Sequence, residues 1–193
     1  RSTYGIRTAT ISMWTLLSMS ELFGAGYHRM FRQQHLTLGI NFPIEAYPHN
    51  PVPQMRDQIS LAQKAEAAGF AAVWTRDVPL LDPSFGDAGQ TYDPWAWLGF
   101  VAAKTDQIAL ATGAIILPLR QPVDLAKSAA SVDQLSDGRL ILGTASGDRP
   151  VEYSVYEVDY HTRGDVFAST FGVVRSATQA PAGWNMQDAG LSD

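Results

Sequence analysis

The sequence predicts an α/β fold built from repeated βα units around a parallel sheet, and three observations lead there. The segment 108–147 reads as strand, helix, strand: two apolar, β-rich runs, Ile108–Leu117 and Leu140–Ala145, flank a helical pattern that opens at Pro122 and closes at Gly138. Both runs are apolar without alternation, the pattern of a strand buried on both faces. The same strand-then-helix order recurs along the chain, giving four βα units in one direction. Repeated units of this kind pack into a parallel sheet, either doubly wound or closed as a barrel.

The elements follow in order. Leu36–Phe42 (LTLGINF) is a short apolar strand. After the Pro-rich loop Pro48–Pro53, Met55, Ile59, Ala62 and Ala65 fall at helical spacing within a helix over Gln54–Ala68. Gly69 stands where a helix ends in the left-handed region. Ala71–Thr75 is the second strand, and a long loop, Asp77–Tyr92, follows it. Asp93 is a good N-cap and Pro94 a good first helical residue for the helix Trp95–Lys104. Ile108–Leu117 is the third strand, Pro122–Gly138 the third helix and Arg139–Ala145 the fourth strand. Thr162 is expected to cap a last helix running to about Ala177. Of the four apolar runs, the first lacks the G-x-G-x-x-G of a dinucleotide-binding turn, since Leu38-Gly39-Ile40 leads directly to Phe42-Pro43.

This reading divides the chain into a leader or poorly ordered segment (1–25), a partial barrel domain (26–178) and a polar tail (179–193). Trp74 alternates with Val73 on the second strand, so one faces the barrel interior and the other the helices; for the tryptophan the helix-facing side is the expectation.

Composition narrows the function. The 193 residues are 46% hydrophobic and 17% charged with a net charge of −5, so no basic footprint for nucleic acid exists. The absence of cysteine removes disulfides, thiolate metal sites and a cysteine nucleophile. The four histidines, His28, His35, His49 and His161, are scattered without metal-ligand spacing, and no metal is expected. No run is long and apolar enough for a transmembrane helix, and a cytoplasmic protein is expected.

Beyond these physical readings, LTLGINFPIEAYP, AGFAAVWTRDVP, DPWAWLGFVAAKT, the whole run IALATGAIILPLRQPVDLAKSAASVDQLSDGRLILGTASG and YHTRGDVF together resemble the luciferase-like monooxygenases. The resemblance spans about Gly26 to Ala177, and its most specific piece is LPLRQP followed by a helix ending in DQLSDGR. It implies a flavin-dependent TIM (β/α)8 barrel, of which this chain carries about the first four βα units, with the active site at the carboxyl ends of the strands.

The resemblance also assigns residues. The family's non-prolyl cis peptide beneath the flavin falls on Gly113–Ala114, where the physical reading alone makes Gly113 a point of close strand–helix packing. The phosphate-holding position after the fourth strand falls on Ser146, an arginine in some relatives. Ser146–Gly147 forms a candidate anion nest, and Arg149 either supplies the charge that serine lacks or is a solvated surface residue. Bacterial luciferases proper have two histidines at the end of the second strand, where this chain has Arg76–Asp77. That departure argues against light-emitting chemistry. Arg76 is then the candidate catalytic residue, holding an anionic substrate or polarising a flavin carbonyl, or else pairing with Asp77 or Asp148 to order the loop.

The implied activity is oxidation of a small organic substrate by O2 and reduced FMN supplied by a separate flavin reductase. Coenzyme F420 and hydride transfer are the close variant. Because a full barrel needs about 250 residues, the second reading is an inactive, truncated half-barrel that binds FMN weakly. The edges it exposes favour pairing into a homo-oligomer.

Overall fold

The computed structural model describes residues 23–45, 53–80, 82, 84 and 91–179; most of the expected leader, the Pro-rich loop, much of the Asp77–Tyr92 loop and the tail lie outside them. The described elements are α1 (Ala25–Met30), β1 (Gly39–Phe42), α2 (Gln58–Ala67), β2 (Ala72–Thr75), α3 (Pro94–Ala102), β3 (Ala109–Thr112), β4 (Ile115–Ile116), α4 (Pro122–Leu135), β5 (Leu140–Ile141), β6 (Thr144–Ala145), α5 (Pro150–Val155) and α6 (Arg163–Gln179). One sheet runs β1-β2-β3-β5, every pair parallel. A second parallel pair, β4-β6, continues it toward the carboxyl ends. This is the α/β architecture of a partial (β/α) barrel of about four units.

The strands are apolar on both faces, but the faces differ in size. Val73, Leu110, Ile108 and Phe42 pack with Ala62 and Ala65 of α2 and with Trp97, Leu98 and Val101 of α3 to form the main core. The other face carries Ala72, Ala109 and Ala111, covered by Met30 of α1, Trp74 and Ile141. Trp74 therefore faces away from the helices, contrary to expectation. The helix side is filled by Val73, and the indole takes the space above two glycines: a Cβ on Gly39 would lie 2.3 Å from Trp74 Nε1, and one on Gly113 3.2 Å from Trp74 Cε3.

The third and fourth strands, read from sequence as unbroken, are each in two pieces. The cause is local. Thr112 Oγ1 donates to Gly143 O at 2.8 Å and accepts from Gly143 N at 2.9 Å. A side chain thus replaces backbone rungs, and the ladder resumes only where Ile115 N donates to Gly143 O at 2.9 Å. The approach is so close that a Cβ on Gly143 would lie 2.0 Å from Thr112 O. Between the two pieces the Gly113–Ala114 peptide is cis, and Gly113 N donates to Thr75 O at 2.7 Å. The run then ends in a 3-10 turn, Leu117–Leu119, rather than as strand to Leu117.

Helix ends follow capping chemistry. Asp93 accepts from Trp95 N and Ala96 N, both at 3.0 Å, with Pro94 first in the helix. Gly69 closes the unit after α2 at φ +84. α2 itself starts at Gln58 rather than Gln54, because the Glu45 carboxylate accepts from Gln54 N (2.8 Å) and Met55 N (3.0 Å) and so engages those amides outside the helix. Thr162 does not cap the last helix: its hydroxyl donates to Asp159 O at 3.0 Å, and the Asp159 carboxylate accepts from His161 N at 2.9 Å, forming a 3-10 turn that leads into α6. Two short helices were not anticipated, α5 and the α1 that lies across the amino ends of the strands, where Gly26 N donates to Gly138 O at 3.0 Å.

Two charged residues bind those amino ends together. Arg139, 6% exposed, uses all five guanidinium N–H groups. Nε donates to Ser136 O at 2.9 Å, Nη1 to Thr105 Oγ1 (3.0 Å) and Ile108 O (3.1 Å), and Nη2 to Ala102 O (2.9 Å) and Thr105 O (3.0 Å). The ends of α3 and α4 and the entry to β3 meet on one cation. The Glu66 carboxylate in turn accepts from the backbone N–H groups of Asp106 (3.1 Å), Gln107 (2.7 Å) and Ile108 (2.7 Å). Burial by itself raises the Glu66 pKa, but those three donors outweigh it and hold the group below its ordinary value.

Candidate functional site

At the opposite, carboxyl ends of the strands lies an open concavity of about 430 Å³, lined by segments 76–78, 113–114, 116 and 145–149 together with Glu152. All six residues singled out from sequence border it: Arg76, Gly113, Ala114, Ser146, Gly147 and Arg149. They arrive there from the ends of three different βα units: Arg76 after β2, Gly113–Ala114 between β3 and β4, and Ser146, Gly147 and Arg149 after β6. Gly113–Ala114 lies between β3 and β4 on the concavity wall, and β6 delivers Ser146–Gly147 to the same wall.

Gly147 sits at φ +75, and a Cβ there would meet Ile116 Cγ2 at 2.7 Å and Tyr153 Oη at 2.9 Å. Only glycine fits this turn. Its shape is fixed from below by Tyr153, 1% exposed, whose hydroxyl donates to Ser146 O and whose ring meets Tyr160 edge-on at 5.2 Å. Burial pushes the Tyr153 phenol up, so it stays a neutral donor. The Arg163 guanidinium lies 4.0 Å above the Tyr160 ring and extends this support to α6.

Asp77 is 8% exposed and is held by Arg120, which donates to it from Nε at 3.1 Å and from Nη2; Ile116 N adds a third bond at 3.3 Å. Burial alone lowers the Arg120 pKa, but the Asp77 carboxylate overcomes that and raises it. Arg120, a residue to which the sequence reading gave no role, thus locks the loop after β2 onto the 3-10 turn after β4. Arg76 stands half-buried on the concavity wall, its backbone carbonyl accepting from the Thr91 hydroxyl at 3.3 Å.

Arg149 is 4% exposed, so it is a buried residue of the wall and not a solvated surface one. Its Nε lies 4.0 Å from Oε1 of Glu152, three residues on in α5 and 2% exposed. Sequence reasoning missed Glu152. Two signals for it were present: Pro150 marks the first residue of a helix, and a carboxylate three residues after an arginine on a helix shares its face. Burial raises the Glu152 pKa most; Arg149 opposes the rise, while Asp77, Asp148 and Asp82 add to it.

The donor set suits an anion bound beside a flat ring. A buried guanidinium, a serine hydroxyl and a glycine turn supply charge and short-range donors. The side-chain-free edge at Gly113 leaves room for a planar group, and the volume lies within the range of small-molecule sites.

Comparisons with known proteins bear on the family and the fold. Residues 36–186 match the family model described as luciferase-like monooxygenase. The chain therefore belongs to the luciferase-like monooxygenase family. It is 32% identical over 97 residues to the oxygenase component of flavin-dependent trigonelline monooxygenase from Acinetobacter baylyi, an alignment covering 50% of this chain and 26% of that protein. It is 31% identical over 121 residues to an F420-dependent hydroxymycolic acid dehydrogenase from Mycobacterium tuberculosis, covering 61% and 33% respectively. Among solved structures, the monooxygenase RslO1 from Streptomyces bottropensis superposes with a TM-score of 0.65 at 26% identity, over 78% of this chain and 45% of that one. The chain thus spans a quarter to a third of these two curated relatives. The family members are flavin- or F420-dependent oxidoreductases built on this barrel.

Proposed function

We propose that the concavity at the strand carboxyl ends is the cofactor site of a flavin-dependent monooxygenase that acts on a small organic substrate with O2 and reduced FMN. The observation that carries this reading is the convergence of Gly113–Ala114, the Ser146–Gly147 turn and buried Arg149 on one open concavity. In this reading Arg149, the Ser146 hydroxyl and the Gly147 turn hold the phosphate, and Gly113–Ala114 supports the ring. Bound reduced flavin supplies the oxygen chemistry; the protein binds, orients and shields it from water. Arg76 is the residue placed to hold an anionic or carbonyl group of the substrate. A separate reductase delivers the reduced flavin in the cytoplasm, and a second copy of the chain covers the open sheet edge. The similarity to an F420-dependent dehydrogenase supports a second reading, in which the same site binds F420 for hydride transfer.

Titration of the chain with FMN, riboflavin and F420, followed by fluorescence quenching, tests the proposal. FMN is expected to bind at least tenfold more tightly than riboflavin. One charge-assisted bond is worth about 1.5–3 kcal/mol, so Arg149→Met is expected to weaken FMN by roughly 10–150-fold and to leave riboflavin unchanged. Equal affinity for FMN and riboflavin would remove the phosphate assignment. Preference for F420 over FMN would favour the second reading.

A further inference from the structure

Arg149 and Glu152 form a buried charge pair inside the concavity whose second member no role yet covers. Their side chains are 5% and 3% exposed, and the Nε–Oε1 separation of 4.0 Å is too long for a hydrogen bond. Glu152 Oε1 is buried and accepts no hydrogen bond from the described residues. A carboxylate placed this way answers the charge of Arg149 without satisfying its own oxygen. It is an anion that the guanidinium faces before any ligand arrives.

We propose that Glu152 is a built-in competitor for Arg149, so that an anionic ligand enters this concavity together with a proton that Glu152 takes up. The inference rests on the assignment of Arg149 as the anion-holding residue. The charged groups around Glu152 favour this direction. Arg149, the residue just before its helix, opposes protonation, and Arg76 is the other cation on the concavity wall. Asp148 from the turn after β6, and Asp77 and Asp82 from the segment after β2, are all negative and all raise the cost of a second anion in the same volume. Asp77 is itself neutralised by Arg120. Negative charge arriving beside Glu152 raises the cost of its ionised form further. Protonation removes that repulsion and converts Oε1 or Oε2 into a donor.

The sign follows directly. Below the free-protein pKa of Glu152 the group is protonated with or without ligand, and affinity is flat. Between the free and bound values each ligand carries a proton in, and affinity falls about tenfold per pH unit as pH rises. Above the bound value affinity is flat again and weaker.

Isothermal titration calorimetry of the full 193-residue chain with FMN, in two buffers of different ionisation enthalpy at one pH, counts the protons without any substitution. Proton uptake per FMN that is larger in the wild type than in Glu152→Gln, by a difference approaching one proton, is the expected result. Measurable FMN binding with the same proton uptake or release in wild type and Glu152→Gln overturns the inference and leaves the anion site intact. Failure of FMN, F420 and inorganic phosphate alike to bind overturns the site assignment and this inference with it.

Discussion

Replacing Arg139 by methionine keeps an unbranched apolar stem and removes the cation that joins two helix ends to a strand. The five donors of this guanidinium serve four backbone carbonyls and one hydroxyl, all at 2.9–3.1 Å. The carbonyls of Ala102, Thr105 and Ser136 lie at or just beyond helix ends, where no intrahelical donor is available. Methionine leaves these acceptors buried without it. At about 1 kcal/mol net for each of the four carbonyl bonds, the loss is roughly 4 kcal/mol, offset in part because a buried cation no longer has to be desolvated, a penalty that already lowers the Arg139 pKa. A net destabilisation of about 3 kcal/mol would take a large share of a typical domain's 5–15 kcal/mol. Urea unfolding followed by circular dichroism reads it as a lower midpoint at unchanged slope. Arg139→Lys, with three donors instead of five, is expected to fall between wild type and Arg139→Met. A shift under about 1 kcal/mol for Arg139→Met would mean that solvent or backbone rearrangement satisfies those carbonyls, and the junction would lose its assigned role.

Thr112→Val preserves shape but deprives Gly143 N of its acceptor, while Gly143 O keeps Ile115 N; a loss of about 1–3 kcal/mol in thermal or urea unfolding is expected. Gly147→Ala forces a Cβ to within 2.7 Å of Ile116 Cγ2 at φ +75, and is expected to abolish FMN quenching and to cost at least about 1 kcal/mol in stability. Glu66 is held below its ordinary pKa in the folded state, so its stabilisation is complete above the unfolded value of about 4.3 and is lost as pH falls through the folded one; Glu66→Gln should flatten the acid side of the stability profile, and an unchanged acid limb would contradict the reading.

The order and direction of the βα units were legible because buried parallel strands leave continuous apolar runs, and because Asp93, Pro94, Pro122 and Gly69 punctuate the helices between them. The break within Ile108–Leu117 was not legible. Every residue around it is compatible with strand, and the interruption depends on Gly143, thirty-one positions beyond Thr112. The orientation of Trp74 was hidden for the same reason: only the partners Gly39 and Gly113 make room for it on the inner face. In the site, the strand-end positions were legible from their place after the strands and from the family resemblance. Arg120 was not, since its pairing with Asp77 joins residues 43 positions apart. Glu152 was missed because a glutamate in a short segment reads as solvated unless its helix is recognised first.

The sheet places unrelated demands on its two ends, and this shapes how such a chain diversifies. Arg139 and Glu66 fasten the amino ends of the strands, whereas Arg76, Ser146, Gly147 and Arg149 surround the carboxyl ends. Changes at the concavity rim alter what is recognised without loosening the junction on which the folded population depends. A library restricted to Arg76 and Asp148 should therefore yield a high proportion of folded members with divergent ligand preferences, while one drawn from the residues around Arg139 should yield few. Inherited variation would be filtered the same way, tolerated where ligands enter and purged where the helices end.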